Sequence, residues 1–135
     1  MASSSTNDIV LHIPSVIKVY KDGKVERFWG TTHVPPSHDP TTGVSSKDIT
    51  ILPHVSARGY LPKVKSNETK LAVLVYYHAG AFCLGSAFSV DHHRYLNTLA
   101  SEANCLAVSV EYRLAVVELG EVLLRWIHLD TLVYF

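Results

Sequence analysis

The residues of this sequence best suited to chemistry form the short loop His78-Ala79-Gly80-Ala81. The loop follows Leu71–Tyr77, an apolar run rich in β-branched and aromatic residues, which is typical of a buried strand. Open α/β folds bind their ligands where such strands end, at the carboxyl edge of a parallel sheet. Backbone N–H groups of small residues at that edge can stabilise a negative charge developing on oxygen, as acyl transfer from an ester requires.

A helix and a second strand must position this loop. Ser89 can serve as the helix N-cap, and Asp91 lies in the first turn, where a negative charge complements the helix dipole. The helix is predicted to end near Ala103, with Asn104 as its carboxyl cap because Asn tolerates the left-handed conformation. A second apolar strand begins near Leu106, so the segment predicts a right-handed βαβ unit.

The predicted helix has a single apolar stripe, because its apolar residues recur at spacings of three and four. This stripe consists of Tyr95, Leu96, Leu99, Ala100 and Ala103. The residues expected to face solvent are Arg94, Asn97, Ser101 and Glu102.

The sequence before this unit predicts an antiparallel β-meander. Val16–Tyr20 and Val25–Phe28 flank Asp22-Gly23, a hairpin signal because Gly accepts the positive φ of the turn. Residues 34–46 are rich in Pro, Ser and Thr and predict a long loop. Two further strands are predicted around Pro53-His54, namely Ile49–Leu52 and Val55–Leu61. We therefore expect an α/β fold in which the meander leads into the parallel βαβ unit.

Composition narrows the classes of function. The 135 residues are 47% hydrophobic and 12 basic residues balance 12 acidic ones, which does not indicate a nucleic-acid or membrane-surface partner. The amino end lacks a basic segment followed by an apolar core, which predicts a cytoplasmic protein. Cys83 and Cys105 are expected to be free thiols. Charged residues interrupt the apolar segment 116–135, so no membrane span is predicted there.

Three segments carry a family resemblance: YHAGAFC at 77–83, HHRYL at 92–96 and VSVEYRLA at 108–115. Together they resemble plant carboxylesterases of the hormone-sensitive-lipase-like branch of the α/β-hydrolases, and among these the 2-hydroxyisoflavanone dehydratase-like members. Upstream segments are similar to the same family, namely VYKDGKVER at 19–27, GVSSKDI at 43–49 and VSAR at 55–58. The resemblance covers about residues 10–115 and implies the N-terminal part of an α/β-hydrolase fold.

The resemblance implies roles for the loop residues. Gly80 and Ala81 match the positions whose N–H groups form the family's oxyanion hole, and His78 is expected to order the loop. Ala79 stands where the family's motif has its first glycine. If that position needs a positive φ, Ala79 costs about 1 kcal/mol or more, whereas with a negative φ it is harmless.

The chain departs from the family after Ala115. Relatives continue with a Pro-Glu-His-Pro turn, whereas residues 116–135 form a divergent Leu-rich tail. The sequence contains no Gly-x-Ser-x-Gly, and the family's acid and catalytic His have no counterparts. We therefore assign residues 1–135 to a partial α/β-hydrolase domain in which no catalytic residue is present, and we expect no cofactor.

Three residues near the loop are candidates to replace the missing nucleophile. Cys83 could pair with His78 as a thiolate nucleophile, but a small buried Cys under a loop is usually structural. Ser86 and Ser89 follow the loop without lying at a strand-to-helix elbow, so neither is predicted to be a nucleophile.

The remaining histidines and charges are assigned structural or surface roles. Asp91-His92-His93 suggests a metal site, but adjacent helical side chains point about 100° apart, so we expect no metal there. Glu111 and Arg113 indicate a strand end or an ion pair, and the family match leaves open whether Arg113 braces the loop or lies near solvent. Loop or surface positions are assigned to His12, His33, His38, His54 and His128.

Three functions remain open at this point. The first is part of a carboxylesterase-type hydrolase, whose full-length relatives take a small-molecule ester or flavonoid-like substrate. The second is a non-catalytic small-molecule binding protein of the gibberellin-receptor type. The third is a truncated product without activity, in which residues 116–135 follow a missed splice junction or frame change. We favour the third for the chain as it stands, because a partial sheet exposes an edge and apolar faces, and the first for its descent.

Overall fold

A computed structural model describes residues 8–64 and 70–115 of the chain. Spatial proximity divides the chain into two compact units. The described part of unit 1 comprises residues 8–29, 80–84 and 114–115, and that of unit 2 comprises residues 30–64, 70–79 and 85–113. The predictions for residues 116–135 lie outside the described residues.

Unit 1 contains a three-stranded antiparallel sheet. Its strands are β1 (Ile9–Ile13), β2 (Ile17–Tyr20) and β3 (Val25–Arg27), in the order β1-β2-β3. Gly23 has a φ of 85° in the β2–β3 connection, so the predicted hairpin is present. Strand β1 falls outside the predicted elements, although its run of apolar residues was a usable signal.

Unit 2 contains a four-stranded mixed sheet and one helix. The strands are β4 (Ser45–Leu52), β5 (Val55–Leu61), β6 (Ala72–Tyr77) and β7 (Cys105–Glu111), and the helix α1 is Val90–Glu102. The order is β4-β5-β7-β6; β6 pairs with β7 in parallel, and the other pairs are antiparallel. The predicted sequence of meander and βαβ unit is thus confirmed, with β4 beginning four residues earlier than expected because Ser45 already pairs with Leu61.

The core of unit 2 lies between α1 and one face of the sheet. Tyr60 of β5 pairs with Ala107 of β7 on this face, and both are 0% exposed. Leu96 and Ala100 of α1 pack against them and are equally buried. Alternation along β6 turns Leu74 and Tyr76 to the same face.

The buried face of α1 differs from the predicted stripe at three positions, one of which is Ala103, an exposed residue just after the helix. Buried residues His92, Leu96 and Ala100 are spaced by four, which places Asn97 inside the contact and Tyr95 at its margin. Asn97 is only 3% exposed, so the prediction that it faces solvent is wrong, and Tyr95 is 52% exposed. Periodicity misplaced the face because two of its members, His92 and Asn97, are polar.

The two ends of α1 lie where the sequence predicts them, but the predicted N-terminal capping hydrogen bond is not formed. Ser89 is the N-cap residue, yet its side chain makes no capping hydrogen bond and is 2% exposed. Asn104 follows the helix with a φ of 46°, the left-handed conformation expected of it.

The opposite face of the sheet is open over the described ranges 8–64 and 70–115. Val73, Val75 and Tyr77 of β6 point there and are 61%, 55% and 62% exposed. Strand β6 is also an edge strand, since β7 is its single neighbour in the described sheet. Within the same residues, no helix is long and apolar enough to cross a membrane.

Candidate functional site

The segment Gly80–Leu84 of unit 1 makes a left-handed turn. Gly80, Ala81 and Phe82 have φ values of 133°, 50° and 60°. For Ala81 and Phe82 this conformation costs on the order of 1–2 kcal/mol each, because Cβ approaches the backbone carbonyl. Gly80 tolerates no side chain, since a Cβ there would lie 2.2 Å from the carbonyl oxygen of Leu84. The surrounding contacts must therefore stabilise a turn that the sequence alone disfavours.

Ala79, which replaces the first glycine of the family motif, is not strained. It is not among the residues with positive φ, so the harmless alternative of the two considered for it is the one observed. The positions that do need unusual backbone angles are the following three. A glycine is present at only the first of them.

Three carbonyl groups of the turn, those of Gly80, Phe82 and Cys83, accept hydrogen bonds, while two of its N–H groups are available. The Gly80 carbonyl accepts hydrogen bonds from the Cys83 and Leu84 N–H groups, both at 2.9 Å, and the Phe82 carbonyl accepts from the Ala115 N–H at 2.8 Å. Among the described residues, the N–H groups of Gly80 and Ala81 donate to no backbone or side-chain acceptor. Two adjacent donors in a left-handed turn are an arrangement suited to binding an anionic oxygen.

Arg27, at the end of β3, holds the far side of this turn. Its Nε donates to the Cys83 carbonyl at 2.6 Å and its Nη2 to the Ala115 carbonyl at 3.2 Å. The Cys83 side chain is 4% exposed and packs with Ile17 and Val19 of β2. Hydrogen bonds from a charged donor contribute roughly 1.5–3 kcal/mol, comparable with the cost of the turn.

Cys83 has the environment of a structural cysteine. Both Cys83 and Cys105 are free and buried. Burial raises the pKa of the Cys83 thiol, against a smaller opposing effect of the Arg27 charge. Since the thiolate is the nucleophilic form, this environment disfavours the reactivity considered for Cys83.

His78 precedes the turn and belongs to unit 2, where Tyr112 fixes it. The two rings stack with centroids 4.1 Å apart and planes 11° from parallel, and the Tyr112 hydroxyl donates to the His78 carbonyl at 2.7 Å. The His78 Nδ1 lies 3.0 Å from the Ala79 carbonyl and 3.3 Å from the Tyr112 hydroxyl. Its Nε2 is buried and has no hydrogen-bond partner in the described parts of the chain.

His92 and His93 at the start of α1 are held by different partners. The Tyr76 hydroxyl lies 3.1 Å from Nδ1 of His92, whereas Nδ1 of His93 lies 3.3 Å from the Tyr60 hydroxyl and 3.4 Å from Arg58. Burial lowers the pKa of both rings, and the electrostatic effect of the neighbouring His78 lowers the pKa of His92 further. The described residues contain no cluster of three or more His, Cys, Asp or Glu that could hold a metal ion.

Glu111 ends β7 and organises the segment that leads into α1. Its Oε2 accepts hydrogen bonds from the Ser86 hydroxyl at 3.1 Å and from the Ala87 N–H at 2.5 Å. The Ser86 hydroxyl also accepts from the Phe88 N–H at 3.0 Å. Ser86 is therefore engaged in local structure, and Glu111 is a strand-end residue, as one of the two predicted alternatives had it.

Arg113 is exposed and lines an open cleft of unit 2. The cleft has a volume of about 700 Å³ and is lined by His54, Val55, Ser56, Glu111, Tyr112 and Arg113. Whether Arg113 braces the loop, as the resemblance implies, stays a prediction.

Comparison with known proteins adds the family. Residues 74–117 match the model of a family described by the alpha/beta hydrolase fold. These residues therefore have the alpha/beta hydrolase fold, and the chain is similar to members of that family. Its relatives include the 2-hydroxyisoflavanone dehydratase of Glycyrrhiza echinata, 57% identical over 84% of this chain and 36% of the relative. Another is "Probable carboxylesterase 7" of Arabidopsis thaliana, 47% identical over 74% of this chain and 32% of the relative.

These matches extend over only part of each relative. The chain spans about a third of the length of the curated relatives it matches. An esterase structure from Pyrobaculum calidifontis matches with a TM-score of 0.44 and 38% identity, covering 60% of this chain and 24% of the other.

Proposed function

We propose that this chain contains the oxyanion-binding part of a carboxylesterase-like or dehydratase-like enzyme of the α/β-hydrolase family. The observation that carries the proposal is the pair of available N–H donors at Gly80 and Ala81 in a left-handed turn that leaves the carboxyl end of β6. Carboxyl ends of parallel strands are where α/β folds bind ligands. The names of the relatives support a small-molecule ester or a flavonoid-like compound as the substrate class.

The two donors would act on the carbonyl oxygen of the substrate. When a nucleophile adds to an ester carbonyl, that oxygen gains negative charge, and donors 2.7–3.1 Å from it lower the barrier by roughly 3–4 kcal/mol per donor. Because the turn is fixed before substrate arrives, the donors need no reorganisation during the reaction. His78 and Tyr112 contribute order to the segment before the turn through their stacked rings.

The 135 residues alone are proposed to bind without turning over an ester. They contain no Gly-x-Ser-x-Gly, and the environments of Cys83, Ser86 and Ser89 engage or deactivate their side chains. In a polypeptide that also contained a nucleophile, acid and base, the same turn would complete the active site. The predicted cytoplasmic location and lack of a nucleic-acid partner stay predictions.

Binding is tested by amide NMR on the uniformly ¹⁵N-labelled chain, with acetate as the anionic probe and acetamide as its neutral control. We expect acetate to shift the Gly80 and Ala81 resonances in a saturable way, and acetamide to shift them much less. An equal response to both probes, or no response at these two amides, would refute the proposed oxyanion site.

Turnover is tested with p-nitrophenyl acetate on the same preparation. The expected rate equals that of a matched concentration of free imidazole. An enzymatic rate that survives Cys83→Ala, Ser86→Ala and Ser89→Ala would show a nucleophile elsewhere and overturn the claim that the chain alone is inactive.

A further inference from the structure

We propose that Arg27 is a positioning residue of the oxyanion turn, acting through the carbonyl groups on its far side. The positioning role rests on the proposed function, whereas the contacts from which it is argued all lie within unit 1. Neither the spacing of the loop motif nor the family resemblance assigns Arg27 such a role.

A closed set of hydrogen bonds surrounds the left-handed residues. The Ala115 N–H donates to the Phe82 carbonyl at 2.8 Å, Arg27 Nη2 donates to the Ala115 carbonyl at 3.2 Å, and Arg27 Nε donates to the Cys83 carbonyl at 2.6 Å. Arg27 therefore joins the turn to the chain segment at Ala115 by main-chain atoms of both. Removing its guanidinium would leave two of these carbonyls without their charged donor.

The strands behind Arg27 make it a rigid support. Arg27 pairs with Ile17 in the β2–β3 ladder, so its backbone is fixed on one side by a strand. The same Ile17, with Val19, packs against the Cys83 side chain. Cys83 is thus fixed twice from one hairpin, by its side chain through apolar contact and by its carbonyl through Arg27.

Only the arginine fork suits this position. A guanidinium presents several N–H donors in one plane and can serve two carbonyls at once, whereas the lysine ammonium is a single point at the end of a flexible chain. These hydrogen bonds also restrain the opposite side of the turn. Because the Phe82 and Cys83 carbonyls are fixed, the residues just before them have little freedom to rotate, and the Gly80 and Ala81 N–H groups keep their direction.

The test compares Arg27→Met and Arg27→Lys with Lys18→Met, a control that removes one charge from the same hairpin without touching the turn. Amide hydrogen exchange is measured at Cys83, Leu84 and Ala115, whose N–H groups donate within the turn, and at Val19 in β2. We expect Arg27→Met to accelerate exchange at the first three amides by about tenfold or more, with a smaller effect for Arg27→Lys and none for the control.

The outcomes separate positioning from general stability. Acceleration at the turn with an unchanged Val19 amide supports the proposal. Equal acceleration at Val19, or unchanged exchange at the turn in both Arg27 variants, overturns it. If Arg27→Met does not fold, Arg27→Lys, which keeps the charge and the aliphatic stem, decides by the same criterion.

Acetate titration links this result to the proposed function. In Arg27→Met and Arg27→Lys we expect the dissociation constant measured at Gly80 and Ala81 to rise several-fold, while Lys18→Met retains that of the unmodified chain. Absence of acetate binding in the unmodified chain would refute the oxyanion site and leave the exchange result for Arg27 standing. Unchanged affinity in both variants, with accelerated exchange, would show that Arg27 orders the turn without positioning its donors, and would overturn the inference.

Discussion

The two faces of the four-stranded sheet in unit 2 both present apolar side chains but differ in how far these are buried. On the α1 side, Tyr60, Leu96 and Ala107 are 0% exposed. On the other side, Val73 and Val75 remain more than half exposed in the described part of the chain. The apolar sequences of β6 and β7 are typical of strands that are buried on both faces of a sheet. In the described part of the chain, only the face towards α1 is covered.

This difference indicates that the two faces contribute unequally to stability. The α1 face contains the buried core of unit 2. The open face contributes little to this core, and substitutions there should leave the sheet intact. Variants on the two faces provide a direct comparison.

The largest effect is expected for Leu96→Ala on the α1 face. Leu96 is fully buried among Val44, Tyr60 and Ala107, so the change leaves a cavity and costs about 2–5 kcal/mol of unfolding free energy. Urea unfolding followed by circular dichroism measures it. A loss below about 1 kcal/mol would show that α1 is not the main cover of this face.

A smaller loss is expected for Asp48→Asn, which disturbs the buried charge on the same face. Arg58 is 1% exposed and donates hydrogen bonds to both carboxylate oxygens of Asp48, at 2.6 Å and 3.0 Å. Removing the carboxylate leaves a buried guanidinium with a weaker partner, and because Asp48 is 41% exposed we expect a loss of about 1–3 kcal/mol.

The matched control is Glu26→Gln, which removes the carboxylate of the exposed Lys24–Glu26 pair. Its effect should be much smaller, since exposed pairs are screened by solvent. Equal losses in both variants, measured by urea unfolding, would contradict the assignment of Arg58 to the buried face.

The pH dependence of stability sharpens the comparison further. Burial lowers the pKa of His92 and His93 below the ordinary value of 6.5, so the unfolded state binds more protons than the folded state as pH falls through that value. Stability is then lost as the pH decreases below about 6.5 and is unaffected by these rings above it.

Thermal unfolding between pH 5 and 8 measures this dependence, with His92→Gln expected to reduce the slope and His54→Gln, an exposed control, to leave it unchanged. A slope that His92→Gln leaves intact, or stability that rises as the pH falls, would contradict the buried placement of His92.

The smallest effect is expected for Val75→Thr on the open face. Val75 is 55% exposed, so the change should alter unfolding free energy by less than about 0.5 kcal/mol while reducing self-association. Analytical ultracentrifugation and urea unfolding measure the two quantities. A loss above about 2 kcal/mol would mean that this face is covered in solution.

Sequence patterns predicted the local elements and the position of the turn, but not its supports. The hairpin, the βαβ unit and the left-handed Asn104 follow from turn residues and periodicity, which act over a few positions. Arg27 and Cys83 are 56 positions apart, and no periodicity reports such a contact. Ring stacking between His78 and Tyr112 was equally invisible for the same reason.

The placement of strain could not be read from the motif either. Ala79 replaces a motif glycine without cost, whereas Ala81 and Phe82 adopt left-handed angles that their side chains disfavour. Such angles are imposed by tertiary contacts, here the hydrogen bonds around Cys83 and Ala115, rather than by residue type.

The most direct test of the central claim is the kcat of a chimera. Residues 72–115 of this chain replace the matching segment of the Glycyrrhiza echinata dehydratase, and folding is verified by circular dichroism. The account predicts a folded chimera whose kcat is within about tenfold of that of the parent and falls by roughly 10²–10³ when Gly80→Ala displaces the donors. A folded chimera without activity, or one whose activity is indifferent to Gly80→Ala, would contradict the claim that this turn is an oxyanion hole.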